Sequence, residues 1–224
     1  MNTFKAIISS YLGVLVFAGF IFLGAWKFDY WQGLLYVALA LLGTTLNHLL
    51  VKPGSNITVN RAHEAKEGEA WDKRLLGLMF LASLAAFLTA GLDSGRFGWS
   101  GPVPFGITIA GILLMVTGQI LFALAKRENA FFSSTVRIQA ERNHRVCDTG
   151  LYLFVRHPGY LGLLLSQLAF PLVMNAYWAI IPTLLGVVLL MVRTLREDKF
   201  LVERLPGYAA YARTTRWRLF PGVF

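Results

Sequence analysis

One cysteine, Cys147, occurs in the 224 residues. That excludes an intramolecular disulfide framework and gives little ground for a zinc site. Charge is scarce too. Asp, Glu, Lys and Arg make up 15% of the chain, against about a quarter in a soluble domain. No GxGxxG follows a strand-like run, and P-loop, GxSxG and metal-spaced His/Cys patterns are all missing. His63-Glu64 does not begin an HExxH, because position 67 is Glu. His48 and His63 have no partners in sequence and read as interfacial or solvated side chains. What the chain has instead is apolar length: 56% hydrophobic residues and a mean hydropathy of +0.56.

Those residues come in long runs, as transmembrane helices do. The expected fold is all-α, a polytopic membrane bundle of about six hydrophobic segments. Helix 1 is Ala6–Trp26, too long and too poor in early positive charge for a signal peptide. Helix 2 is Trp31–Val51, and Trp26, Tyr30 and Trp31 are expected to form an aromatic belt at one interface. Pro53-Gly54 ends helix 2. The Lys52–Arg74 loop holds a sequon, Asn56-Ile57-Thr58, which its sidedness makes a chance match. Helix 3 is Leu75–Leu92, and Pro102 and Pro104 start helix 4, Val103–Ala125. Small residues at four-residue spacing (Ala82/Ala86/Ala90 and Gly106/Ala110) suit close helix contacts, and Gln119 suits an interhelical hydrogen bond.

Two further apolar runs, Tyr160–Val173 and Tyr177–Val192, have 14 and 16 residues. As helices they reach about 21 and 24 Å, short of a ~30 Å hydrocarbon core. They are expected to be short, tilted or partly re-entrant, kinked at Pro171 and Pro182, with a turn at Met174–Ala176. The connector Lys126–Arg156 sets Phe131, Phe132, Val136 and Ile138 loosely against Arg137, Gln139, Glu141 and Arg142. That suits a segment lying on the membrane surface. Six segments put both termini on one face. Of the 21 Lys and Arg, only Lys27 and Arg96 then fall on the other. This positive-inside bias makes the termini, the connector and the tail cytoplasmic, and it explains the net +9 without nucleic acid.

Three constellations carry chemistry. Arg156-His157-Pro158 stands before an apolar run, with proline suited to the first helical position. The helix start there favours anions, and Tyr152 and Tyr160 offer aromatic faces. A plain membrane-surface loop meeting phospholipid headgroups is the other reading. Arg193 and Glu197 are four apart on one helix face. They form either a surface ion pair or a bilayer-edge arginine able to grip a carboxylate. Tyr208 and Tyr211, with the Arg216–Pro221 end, read equally as a membrane-surface helix with snorkelling arginines.

The runs NHRVCDTGLYLFVRHPGYLG, REDKFL and PGYAAYARTTRWRLFPGVF resemble the isoprenylcysteine carboxyl methyltransferase family over roughly residues 129–224. That resemblance implies an integral-membrane methyltransferase of bacterial type using S-adenosyl-L-methionine. Residues 1–127 would be transmembrane helices 1–4. Residues 128–224 would be a catalytic connector, short hairpin and tail in the same membrane domain. By position in the family pattern, His144, Arg145, Val146, Cys147, Tyr152, His157, Pro158, Gly159, Tyr160 and Glu197 would line the cofactor, and Gln139 would contact it. Arg193 would hold the substrate carboxylate. The acceptor would be a lipophilic molecule or lipidated cysteine arriving through the membrane lipid. The paired acids are Glu197-Asp198 where the family has two glutamates, and Leu205-Pro206-Gly207-Tyr208 replaces a Phe-Gly tail. Three alternatives remain open: an NADPH-dependent sterol-type reductase, a methyltransferase acting on a phospholipid amine or small thiol, and a non-enzymatic protein binding anionic lipid.

Overall fold

Inside a bilayer no water meets the backbone, so an apolar run must close its own hydrogen bonds as a helix. The computed structural model, which describes residues 3–50 and 67–224, shows this throughout. Helices α1 (Thr3–Ala25), α2 (Trp31–Leu50), α3 (Ala70–Ala90), α4 (Phe105–Glu128), α5 (Pro158–Val173), α6 (Ile180–Arg204) and α7 (Tyr208–Thr214) follow one another, with no strand among the described residues. Five helical stretches are long and apolar enough to cross a membrane, and α5 is a shorter apolar helix. The chain is an integral membrane protein. Most of the Lys52–Arg74 loop, with Pro53, the Asn56 sequon and His63, lies outside the described residues.

The last helical pair departs from expectation. α5 is short, 16 residues, about 24 Å. α6 is not: it continues past Val192 to Arg204, 25 residues in all. No glycine or proline interrupts it after Gly186, and the charged turns that follow the apolar run are good helix formers. Pro182 falls in the first turn of α6, where its missing N–H costs nothing. The expected turn at Met174–Ala176 is a Schellman cap. Asn175 takes φ 52°, and the N–H groups of Ala176 and Asn175 reach the carbonyls of Pro171 and Leu172 at 3.0 and 3.3 Å.

Packing rests on small residues, though not all those expected. Ala82, Ala86 and Ala90 are buried, whereas Gly106 and Ala110 are exposed. The tightest helix contact, α4 on α5, runs through Gly111, Gly118 and Gly162 instead. A Cβ on Gly162 would lie 2.5 Å from the Gly118 carbonyl oxygen and 2.7 Å from the Phe122 nitrogen. Gln119 donates to the Leu39 carbonyl at 3.1 Å, tying α4 to α2.

The two ends of the bundle differ. At one end α3 runs into a π-helical turn, Gly91–Phe97. Its buried Asp93 accepts from the N–H groups of Ser100 (2.7 Å) and Trp178 (3.1 Å). Trp26 and Trp31 are exposed here beside Phe97, Trp99 and Trp178, as an interfacial belt requires. Tyr30 is not part of that belt: it is 2% exposed, and its hydroxyl bonds Ser94 and the Ala90 carbonyl. At the other end the connector and tail fold over the helix termini. The connector turns polar as well as apolar side chains inward. Val136, Arg137 and Gln139 are all buried, because Arg137 is paired to Glu67 and Glu141 and Val136 is bonded to Asp72.

The α4–α5 contact has no spare volume. Gly162→Val should destabilise the detergent-solubilised protein by about 1–3 kcal/mol through overpacking. Thermal denaturation monitored by circular dichroism should show the lower midpoint, with Gly106→Val unchanged as a control.

Candidate active site: two recesses that meet at Tyr160

Proline at the first helical position starts α5 at Pro158, as the Arg-His-Pro run predicts. The residues before it are held by the tail. The N–H groups of Arg156 and His157 donate to the carbonyls of Trp217 and Arg218, both at 2.9 Å. One carboxylate joins these parts. Asp198 accepts from Arg156 Nη2 (2.9 Å), Arg218 Nε (2.9 Å) and the Tyr208 hydroxyl (3.0 Å), with His157 Nε2 at 3.4 Å. Arg156 also donates to the carbonyls of Ala212 (3.1 Å) and Thr215 (3.3 Å) at the end of α7. Burial, and then the Asp198 charge, push the Tyr208 hydroxyl well above its ordinary pKa, so it stays a donor.

Arg156 is therefore consumed inside the protein rather than offered to headgroups. α7 packs against the same end of the bundle. Tyr208 and Tyr211 turn inward, and Tyr211 donates to the Tyr152 carbonyl at 2.7 Å.

Between the connector, α5, α6 and α7 lies a recess of about 750 Å³, counting its open mouth. His144, Arg145, Val146, Cys147, Tyr152, His157, Gly159, Tyr160 and Glu197 all line it. Tyr208, Tyr211, Phe131 and Phe132 complete an aromatic wall. Gly159 is needed as glycine, since a Cβ there would lie 2.8 Å from the Phe132 ring. Two expected residues stand behind the wall. Pro158 does not line it. Gln139, 2% exposed, donates to the Phe131 carbonyl (2.7 Å) and accepts from Arg142 Nη1 (2.7 Å). It shapes the recess by fixing Phe131 and leaves no side-chain atom for a ligand there.

Tyr160 is the hinge of the site. His157 stacks on its ring, centroids 5.6 Å apart and planes 4° apart. The Arg193 guanidinium lies over it at 5.0 Å. The Tyr160 hydroxyl donates to Glu197. Beyond it opens a second chamber among α1, α2, α4, α5 and α6, which shares Phe132, Ser133 and Tyr160 with the first. Arg193 and Lys126 line this chamber, and no acid does among the described residues. Lys126 donates to Asn47 Oδ1 at 3.0 Å.

Arg193 is buried and paired, but not with Glu197. Its Nε and Nη2 meet the two oxygens of Asp72 at 2.7 and 3.2 Å, and Nη2 also reaches the Ser134 carbonyl at 2.8 Å. Nη1 takes no part in these bonds. Sequence reasoning missed Asp72, the first-turn acid of α3, and Asp198. The signal for Asp72 was available: an arginine at the bilayer edge needs a nearby anion, and an acid opening α3 reaches the same end of the bundle.

Residues 110–203 match the model of the Isoprenylcysteine carboxyl methyltransferase (ICMT) family. The matched stretch is similar to this family. The match takes in most of α4, the connector, α5 and α6, and so both recesses' shared wall. It begins earlier than the motif resemblance and stops before the tail. No curated protein matches the chain. The match supports a membrane methyltransferase, in agreement with the apolar helices.

Two outcomes follow from the recess. Burial, then the Arg137 and Arg142 charges, lower the His144 pKa from 6.5 to about 4. The unfolded chain takes up a proton on His144 as pH falls through 6.5 while the folded one does not. The fold thus loses His144's contribution progressively between pH 6.5 and 4. The His144 Cε1 proton shift should be flat from pH 8 to 5. Separately, Asp198→Ala leaves the buried Arg156 and the half-buried Arg218 without their anion and should cost about 3–5 kcal/mol. Glu197→Gln should cost under about 1 kcal/mol, both read by denaturant melts.

Proposed function

We propose that the protein transfers a methyl group from S-adenosyl-L-methionine to the carboxylate of a lipophilic acceptor. The observation that carries this is the meeting of two chemically different recesses at Tyr160. The donor set fits the cofactor. Aromatic faces from Tyr152, Phe131 and Phe132 suit an adenine ring. Glu197 supplies a carboxylate for the amino-acid ammonium or a ribose hydroxyl, and the Val146–Cys147 backbone offers further polar atoms. When bound, S-adenosyl-L-methionine supplies an electrophilic methyl group on a sulfonium.

The second chamber favours an anionic head. It carries Arg193 and Lys126 and, among the described residues, no acid; an amine or cationic acceptor would meet repulsion there. A carboxylate is ionised at neutral pH and needs no general base. The residues therefore have to orient and to exclude water. Arg193 would hold the carboxylate at the Tyr160 window, with Asp72 fixing the guanidinium from behind. His157 and Glu197 fix the Tyr160 ring between the two reactants. The acceptor's lipid portion would enter between helices from the bilayer.

In this reading residues 1–127 anchor the protein and help build the acceptor chamber, while 128–224 build the cofactor recess, in one integrated membrane domain. The basic end, with both termini and the cofactor mouth, would face the cytoplasm, in a bacterial inner membrane.

The lone thiol is a built-in reporter. Cys147 lines the cofactor recess, and burial raises its pKa, so alkylation should be slow. S-adenosylhomocysteine should slow it at least tenfold further in wild type and much less in Glu197→Ala. No protection by S-adenosylhomocysteine, with protection by NADPH, would turn the reading to a reductase. Arg193→Gln combined with Asp72→Asn, which leaves no unpaired buried charge, should keep Cys147 protection yet lose methyl transfer to a carboxylate by at least a hundredfold. Equal loss of both would reject that division of roles.

A further inference from the structure

Further along the bundle a partly open cavity of about 530 Å³, counting its mouth, lies among α2, α3, α5 and α6. It neighbours the proposed acceptor chamber, with Leu163 lining both. Its walls are polar in places where lipid would be expected. Thr183 is 6% exposed, and its hydroxyl has no hydrogen-bond partner. The Gln167 carboxamide lies in the same cavity against Gly186, where a Cβ would sit 3.1 Å from Gln167 Oε1. Thr183 and Gly186 are three apart on one face of α6. Ser83 and Ser166 spend their protons on the carbonyls of Met79 (2.8 Å) and Gly162 (2.9 Å) and keep only acceptor capacity.

An unsatisfied hydroxyl at membrane depth is costly, and intramembrane polar groups mark pathways and sites. A track of lining residues runs between the cavity and the chamber. On α5 the residues Tyr160, Leu163 and Gln167 follow helical spacing, and on α6 so do Arg193, Gly186 and Thr183. The track descends from the Tyr160 window by about 10 Å on α5 and about 15 Å on α6, at the helical rise.

We propose that this cavity is the tail subsite of the methyl acceptor, and that it selects a chain bearing a hydrogen-bonding oxygen roughly 10–15 Å from the methylated group. The acceptor class is then an oxygenated long-chain amphiphile, with a hydroxyl, oxo or ester group, rather than a pure hydrocarbon tail. Thr183 and Gln167 are the specificity-determining residues. The inference rests on the methyltransferase reading for what the head of the acceptor does.

Binding tests it without requiring turnover. Stearic acid and 10-hydroxystearic acid share a carboxylate and chain length, and the hydroxyl of the second falls within the stated span. In nanodiscs, wild type should bind the hydroxy acid about five- to tenfold more tightly, the size of one net hydrogen bond. Thr183→Val with Gln167→Leu should bind both equally, at the wild-type affinity for stearate. Equal binding by wild type, a preference that survives in the variant, or no binding of either would overturn the proposal. A variant that melts higher with no change in binding would mark the notch as a buried water site only, which also overturns it. Failure of the methyltransferase reading shows elsewhere, as missing S-adenosylhomocysteine protection of Cys147.

Discussion

The connector-and-tail end of the molecule is organised around a buried carboxylate. Asp198 sits on α6 and gathers Arg156 from the segment before α5, Tyr208 from α7 and Arg218 from the tail. An apolar bundle supplies no directional force to fix a loop or a tail above it. Charge-assisted hydrogen bonds out of bulk water do, because they are strong and leave the groups no better partner. Remove that anion and two arginines are left facing each other at the site where three chain segments meet. The segment before α5, α6 and α7, which all line the recess, are joined through it.

A second buried ion pair does the corresponding work one turn deeper. Arg193 and Asp72 join α6 to α3, and Asp72 also takes the N–H of Val136 at 2.8 Å, fixing the connector. The pair explains how an arginine is tolerated at that depth. It also refines the role expected for it: a guanidinium clamped along one edge is a preoriented donor rather than a mobile one. Between the two ion pairs stands Tyr160, stacked by His157 on one side and capped by Arg193 on the other. The fold thus places Tyr160 between two recesses that share it, Phe132 and Ser133 as lining.

The sequence made some of this legible and hid the rest for physical reasons. Long apolar runs and proline at a helix start are local signals, so the spans and the start of α5 at Pro158 were readable. The charge asymmetry was readable too, and with it the meeting of tail and Arg-His-Pro stretch. The length of α6 was not, because hydropathy marks where lipid ends and not where a helix ends. Tyr30 looked interfacial because its neighbours Trp26 and Trp31 are; its partner Ser94 lies 64 residues away. The recess residues came from motif resemblance, and most line it, but Gln139 is turned into the wall. The ion pairs were invisible since each joins residues far apart: Asp72 and Arg193 are separated by 121 positions. Spacing on one helix suggested Arg193 with Glu197, and tertiary packing gave each a different partner.

The most direct measurement of the central claim is a structure of the protein with S-adenosylhomocysteine in lipid nanodiscs. Density is expected in the recess beneath Tyr208 and Tyr211, with the thioether sulfur at the Tyr160 window and the amino-acid end near Glu197. Density confined to another cavity, or in the recess with the sulfur turned away from Tyr160, would contradict it.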